Sequence, residues 1–463
     1  MSEIGLSVDK IETAVSGKGR KWIYPKLIKG KLYHYRNIVG YFLLAFLFIS
    51  PFLKINNEQL VLLNILERKF VFFGVIFMPQ DFYLFALAIL AILIFIILFT
   101  AIFGRLWCGW ACPQTIFMEM VFRKIECWIE GDAQQQRKLN ASALTAEKIF
   151  KKGAKHLTFI VISFFIANIF LAYTIGTDVL LKIMREPVSL HIYGFLAICI
   201  FTTLFYLVFA RVREMVCTLI CPYGRLQGVL LDRKTLVVAY DYVRGEPRGH
   251  ISKTETTPPK GDCVDCGLCV QVCPTGIDIR KGTQLECVNC TVCIDACDMV
   301  MEKTGRPTRL IGFKSEEQIS EKKQFRFSKR IYGYAAVLLI LLTSLTTLII
   351  KRTDIETTVL RASGTLYQMR DDGTVSNLYN AELVNKTMND IRFKIKIADP
   401  QAKIQYINQS DKVEKGGSIK VTFFIIRPQS QIKKYKSEIS LNVIENGKVI
   451  SEAETTFIAP PNL

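Results

Sequence analysis

The sequence predicts a multi-domain membrane protein: an α-helical transmembrane bundle of five spans, a cysteine-rich α+β module in a loop, and a C-terminal all-β sandwich. Three observations predict it. Half of the 463 residues are hydrophobic and mean hydropathy is +0.27, high for a chain that folds in water. All fourteen cysteines lie between Cys108 and Cys297, and none follows. The cysteine-free tail alternates apolar and polar residues, the period of half-buried strands. A chain of this length has room for several domains.

Five segments approach or reach the run of about 18 apolar residues that crosses a bilayer as a helix. They are NIVGYFLLAFLFISPFL from Asn37, LFALAILAILIFIILFTAIFG from Leu84, LTFIVISFFIANIFLAYTIG from Leu157, LHIYGFLAICIFTTLFYLVFA from Leu190 and YGYAAVLLILLTSLTTLII from Tyr332. The first is not a cleavable signal peptide, because a long basic segment precedes it and no small-residue cleavage site follows. Lys and Arg alternate between the connecting segments: eight in 1–36, three in 54–83, nine in 105–156, two in 177–188 and twenty in 211–331. The positive-inside rule then puts the N-terminus in the cytoplasm and the C-terminus outside. The net charge of +18 is read the same way, and not as a nucleic-acid footprint. LLNILERKFVFFGVIF (62–77) is apolar but broken by Glu67, Arg68 and Lys69, so it reads as an external interfacial segment. A sixth span there would invert everything downstream.

The expected domains are a basic cytoplasmic segment 1–36, four spans with their loops over 37–210, a cytoplasmic module 211–331, the fifth span 332–350, and an external domain 351–463. Thiols confined to the cytoplasmic side read as reduced and metal-binding, not as disulfides. In the tail, IRFKIKIAD, SIKVTFFIIRP and SEISLNVIENGKVISEAETTFIA are separated by the turn signals DDGT, KGG and ENGK. About seven short strands suggest an immunoglobulin-like sandwich.

The module contains CVDCGLCVQVCPTG (263–276) and CVNCTVCIDACD (287–298), both spaced C-x2-C-x2-C-x3-C. Zinc sites pair C-x2-C units across a longer loop. Three cysteines at strict two-residue gaps instead wrap a cubane, and in two-cluster ferredoxins the fourth cysteine of each run ligates the other cluster. Cys263, Cys266, Cys269 and Cys297 are expected to hold one [4Fe–4S] cluster, and Cys273, Cys287, Cys290 and Cys293 the second. Crossed ligation would set the clusters close enough to exchange electrons. Cys273 precedes Pro274, whereas Cys297 precedes Asp298, a departure from soluble bacterial ferredoxins.

Two further pairs lie at the membrane edge. GRLWCGWACPQT puts Cys108 and Cys112 at the end of span two, and REMVCTLICPYGRLQG puts Cys217 and Cys221 at the end of span four. Both read C-x3-C-P, both follow basic residues (Arg105; Arg211 and Arg213), and together they suggest a duplicated two-helix unit. Residues four apart on a helix share a face, about 5–6 Å between Cβ atoms. Each pair is therefore expected to present two thiols to one ligand, and four would converge if spans two and four are neighbours. Soft thiolates favour Cu(I), zinc or an iron–sulfur cluster. The plainer alternative is small buried hydrophobes at a helix end. Cys127 and Cys199 lack such partners and read as packing residues, as do Met118, Met120 and Met215. Only His34, His156, His191 and His250 are present, with His156 and His191 near opposite membrane faces, so haem is not expected. No G-x-G-x-x-G or P-loop marks a nucleotide site.

Together these motifs resemble the FixG/RdxA/CcoG family, accessory proteins of cbb-type cytochrome c oxidase. The resemblance runs through ERKFVFFGVIFMPQDF (67–82), residues 103–115, CTLICPYGRLQG (217–228), the double cysteine run with its DACD ending, and GTLYQMRDDGTVSNLYNAELVNKT (364–387). It implies a polyferredoxin of the bacterial inner membrane that supports oxidase maturation by reducing Cu(II) to Cu(I). The implied partners are copper ions, oxidase subunits or assembly factors, the lipid bilayer and an unidentified electron donor. The implied C-terminal domain is immunoglobulin-like and periplasmic. Nothing in composition or spacing points to copper itself, although a site built from Cys108, Cys112, Cys217 and Cys221 would favour Cu(I). Two other readings stay open. One is a general membrane polyferredoxin between quinol or a cytoplasmic donor and another acceptor. The other is a copper-binding assembly scaffold, which needs no reducible clusters.

Overall fold

The computed structural model describes residues 15–16, 19–20, 22–56, 58–65, 69–250, 261–362, 364, 366–387, 389–408, 410–432 and 434–460. Most of the basic segment ahead of residue 22, together with Glu67 and Arg68, lies outside the described residues.

Among the described residues, five helices are long and apolar enough to cross a membrane. They are α1 (Lys31–Ile49), α2 (Phe82–Phe103), α3 (Ala146–Ile175), α4 (Ile192–Leu207, continuing through a π turn Val208–Val212) and α5 (Lys329–Ile350). α1, α3 and α5 begin before their apolar runs. In α3 the extension AEKIFKKGAKH is rich in Ala, Glu and Lys, good helix formers that carry the helix beyond its apolar part. The described residues of the stretch 62–77 contain no helix. Val61–Asn64, Lys69–Phe72 and Val75–Phe77 form a three-stranded antiparallel sheet.

The chain divides into two compact units, one of residues 1–49, 87–171 and 178–343 and the other of residues 50–86, 172–177 and 344–463. The helical part of the first unit is glued by aromatic residues. Phe122 stacks on Phe209 with centroids 4.4 Å apart and meets Phe159 edge-on at 4.8 Å, arrangements that add to the burial of such large rings. α5 differs, burying only Ile331. An apolar helix exposed all round calls for lipid and not water.

The cysteine-rich module of the same unit is α+β. Strands Val237–Tyr240 and Ile311–Lys314 pair antiparallel, and helix Val292–Lys303 packs on them through Ile294 and Met301. The module is bolted to helix ends. Amides of the first turn and carbonyls of the last are a helix's unpaired groups. At the start of α1, the Leu32 and Tyr33 amides donate to the Asp295 carboxylate at 3.2 and 2.7 Å. At the end of α2, the carbonyls of Ala101, Ile102 and Phe103 accept from Thr235 Oγ1 (3.0 Å), the Leu236 amide (2.9 Å) and Asn289 Nδ2 (3.4 Å).

The second unit is dominated by seven main strands: β1 (Ile355–Arg361), β2 (Thr374–Asn385), β3 (Lys394–Ile397), β4 (Lys403–Asn408), β5 (Ser418–Pro428), β6 (Lys436–Glu445) and β7 (Lys448–Ile458). Antiparallel sheets of order β1-β2-β5-β4 and β3-β6-β7 enclose Tyr379, Phe423, Leu441, Val443 and Phe457. At the entry to α2, buried Asp81 accepts from Lys386 Nζ and Arg352 Nη2, both at 2.6 Å.

Candidate redox site

The two cysteine runs adopt the same backbone path. In CVDCGLC, Asp265 and Gly267 take φ of +52° and +65°; in CVNCTVC, Asn289 and Thr291 take +51° and +66°. The left-handed residues flank the middle cysteine each time, so each loop curls around its thiols. Asp, Asn and Gly tolerate this region, whereas a β-branched residue there is strained. Thr291 is fully buried, with its hydroxyl donating to the Cys290 carbonyl at 2.7 Å.

The thiols gather in two crossed sets. Cys263, Cys266, Cys269 and Cys297 line one pocket, walled by Tyr240, Met301, Leu310 and Ile311. Cys273, Cys287, Cys290 and Cys293 line a second, walled by Val238, Ile277 and Ile279. Cys269 borders both, so the cavities share a wall. Four thiols within apolar walls are the donor set that a [4Fe–4S] cluster takes. Burial pushes the thiols of Cys269, Cys287 and Cys297 up to about 12, and that of Cys290 to about 11. Such thiols need a cation to deprotonate.

The C-x3-C-P pairs depart from expectation in one respect. Neither pair rides on one continuous helix. Cys108 lies in the turn Leu106–Trp110, while Cys112 caps a new helix beginning at Pro113. Cys217 lies in the π turn Val216–Ile220, while Cys221 caps the helix Pro222–Leu230. A residue before proline is driven out of the helical region, and proline suits the first helical position. Cys112 (ψ 125°) and Cys221 (ψ 111°) accordingly share an extended conformation. The duplication is real as local geometry, but the two thiols of a pair do not simply share a helix face.

The four thiols are electrostatic neighbours. Burial pushes Cys108 up to about 11, with Arg105 opposing and the Cys112 and Cys221 thiolates adding. Burial pushes Cys217 up to about 12, with Cys112 and Cys108 adding and a hydrogen bond to Thr115 opposing. Among the described residues, no three His, Cys, Asp or Glu side chains gather within reach of a single metal ion. Cys108 donates to Gln227 Oε1 at 3.0 Å. Cys127 contacts Gln136, and Cys199 is exposed on α4.

The pairs also touch the module. Cys108 and Cys217 share one apolar cluster with Val288, Cys290 and Cys293. A Cβ on Gly109 would lie 2.4 Å from the Val288 carbonyl and 2.9 Å from the Cys290 backbone, an approach that only glycine allows. The membrane-edge thiols thus meet the second cysteine run.

Residues not singled out in the sequence complete the site. Arg36 Nε donates to the Gly109 carbonyl at 2.8 Å. Beside the second pair, Arg213 forks onto Glu126 at 3.0 and 2.8 Å, and Lys155 reaches Glu126 and Glu130 at 3.4 and 2.7 Å. Burial pushes the Glu126 carboxyl up, but Arg213 and Lys155 outweigh it and hold it down to about 2. The sequence signal for Arg36 was a lone cation at the start of an apolar run. Glu126 and Gln227 carried none.

Protein RdxA of Cereibacter sphaeroides is 33% identical over 393 residues, covering 81% of this chain and 82% of RdxA. The chain belongs to the FixG/RdxA family. Nitrogen fixation protein FixG of Rhizobium meliloti is 34% identical over 303 residues, 64% of this chain and 57% of FixG. Family models match for a 4Fe-4S binding domain over 85–131, a 4Fe-4S dicluster domain over 212–316 and the IG-like fold at the C-terminal of FixG over 345–460. A FixG-related protein from Vibrio parahaemolyticus, known from a crystal structure, covers 24% of this chain at 20% identity and a TM-score of 0.21. As a FixG/RdxA member the chain is an iron–sulfur electron-transfer protein, an oxidoreductase or electron carrier. Its five apolar helices fit a multi-pass membrane protein.

Proposed function

We propose that this protein is a cupric reductase of the bacterial inner membrane that supports assembly of cbb-type cytochrome c oxidase. In this reading the module is cytoplasmic and the immunoglobulin-like domain periplasmic. Cys263, Cys266, Cys269 and Cys297 hold one [4Fe–4S] cluster, and Cys273, Cys287, Cys290 and Cys293 hold the second. When bound, such clusters supply one-electron carriers. Val238, Ile277 and Ile279 give the second pocket apolar walls and Leu310 does so for the first, and Cys269 forms their common wall. Cys108, Cys112, Cys217 and Cys221 supply soft thiolates that favour copper as Cu(I) over Cu(II). The reaction consumes one electron per Cu(II) and breaks no covalent bond.

The observation that carries the reading is the shared apolar cluster of Cys108 and Cys217 with Cys290 and Cys293. It sets the soft thiols beside a cavity of the module rather than leaving them as isolated packing residues. The test is anaerobic reduction of the reconstituted chain followed by Cu(II). Reoxidation with stoichiometric Cu(I), captured by a Cu(I)-specific chelator, is expected. Cys108→Ser/Cys112→Ser should lose this reaction and keep the module's iron. If Cu(II) leaves the protein reduced while a quinone analogue oxidises it, the general-polyferredoxin reading replaces this one.

A further inference from the structure

Two buried arginines lie beside the second cysteine run, and among the described residues no buried arginine lies beside the first. Arg36, on α1, is 2% exposed and Arg105, just past α2, is 3% exposed. Arg36 donates from Nε to the Gly109 carbonyl at 2.8 Å, and a Cβ on Gly109 would lie 2.9 Å from the Cys290 backbone. Arg105 donates from Nη1 to the Leu285 carbonyl, two residues before Cys287, and from Nη2 to the Cys217 carbonyl at 3.4 Å. Arg105 therefore spans from a C-x3-C-P turn to the loop that carries Cys287, while Arg36 holds the Gly109 turn against that loop and acts on Cys290 through its charge.

Among the described residues, neither Arg36 nor Arg105 forms an ion pair with a carboxylate, and Arg36 Nη2 and Arg105 Nε are buried with no hydrogen-bond partner. Glu119, the acid that faces Cys290, is itself bound by Arg123. The first cavity is different. Its arginine, Arg280, is forked onto Asp278 at 2.8 Å through both Nε and Nη2, and also bonds Asp265. Asp298 follows Cys297, acts on it as a negative charge and is itself paired with Arg309 at 3.4 Å.

A buried, uncompensated cation stabilises added negative charge far more than a solvated or paired one does. We propose that Arg36 and Arg105 polarise the module, making a cluster held by Cys273, Cys287, Cys290 and Cys293 easier to reduce than one held by Cys263, Cys266, Cys269 and Cys297. At equilibrium the electron then resides beside the C-x3-C-P thiols. This inference rests on the two-cluster reading above. Arg36 and Arg105 act as positioning and tuning residues, not as ligands.

The test is an EPR-monitored redox titration of the full-length, anaerobically reconstituted protein in detergent, with Cys266→Ser and Cys287→Ser assigning the two signals. In the unmodified protein the second-set signal should be reduced first. Arg36→Gln or Arg105→Gln should lower the ratio of reduced second set to reduced first set about tenfold, about 59 mV for a one-electron couple. Arg36→Lys and Arg105→Lys should restore most of the shift, since they keep the charge. The first-set signal should stay put. A first-set signal that reduces earlier in the unmodified protein overturns the proposal, as does a Gln variant that moves both signals equally or neither. If a Gln variant loses iron, the order in the unmodified protein and the Lys variants decide. Iron near four atoms per chain would instead defeat the two-cluster reading itself.

Discussion

At Cys108 and Cys217, burial decides what the thiols do. Pushed up to about 11 and 12, both carry a proton at neutral pH. A cation held by both thiolates must displace both protons, so affinity climbs as pH rises toward the thiol values. A competition titration with Cu(I) should show about a tenfold gain per pH unit for each proton displaced, between about pH 6 and 8. A pH-independent affinity would mean that these thiols are not ligands. The residue types were readable in advance, because dense C-x2-C spacing has few uses. The left-handed turns were partly readable too, from Asp265, Gly267 and Asn289. Thr291 was not, since threonine ordinarily avoids that backbone region.

At the scale of elements, the C-x3-C-P turns matter through their contact with the module. Gly109→Ala would force a methyl group into the Val288 carbonyl and the Cys290 backbone, atoms that cannot swing aside. Overpacking of this kind costs about 1–3 kcal/mol. The variant should keep its module iron yet reduce Cu(II) more slowly, as measured by stopped-flow reoxidation; an unchanged rate would separate copper reduction from this contact. The five apolar helices were legible because a bilayer demands a long unbroken run. The break between the paired cysteines was visible in Pro113 and Pro222, yet four-residue spacing suggested one helix face, and the pre-proline restriction won. The attachment of the module to α1 and α2 was not legible. It depends on Asp295, Thr235 and Asn289 meeting helix ends far away in sequence.

At the scale of the whole molecule, the second unit carries a buried charge cluster at the entry to α2. Asp81 is the shared acceptor for Arg352, just past α5, and Lys386, just past β2. Burial pushes its carboxyl up, but the two cations outweigh burial and hold it below the usual carboxylate value. Its contribution is therefore complete above the ordinary carboxylate range and is lost as pH falls through the lowered value. Asp81→Asn leaves Arg352 without its carboxylate and Lys386 with Glu356 alone, and should cost about 1–3 kcal/mol, read as a lower midpoint in thermal unfolding at neutral pH. An unchanged midpoint would remove the cluster from the account. About seven alternating strands were expected from the sequence, which marked β3, β5, β6 and β7 directly and left β1, β2 and β4 unmarked, while Asp81 stood unmarked beside an apolar run.

The central claim is that the crossed cysteine sets hold two clusters. Iron and acid-labile sulfide should be counted on the full-length protein after anaerobic reconstitution, alongside Cys297→Ser and Cys273→Ser. About eight iron atoms per chain are predicted, four per cluster, with each substitution perturbing a different cluster from the one bound by the rest of its own run. About four iron atoms, or Cys297→Ser disturbing the Cys287–Cys293 signal, would contradict the account.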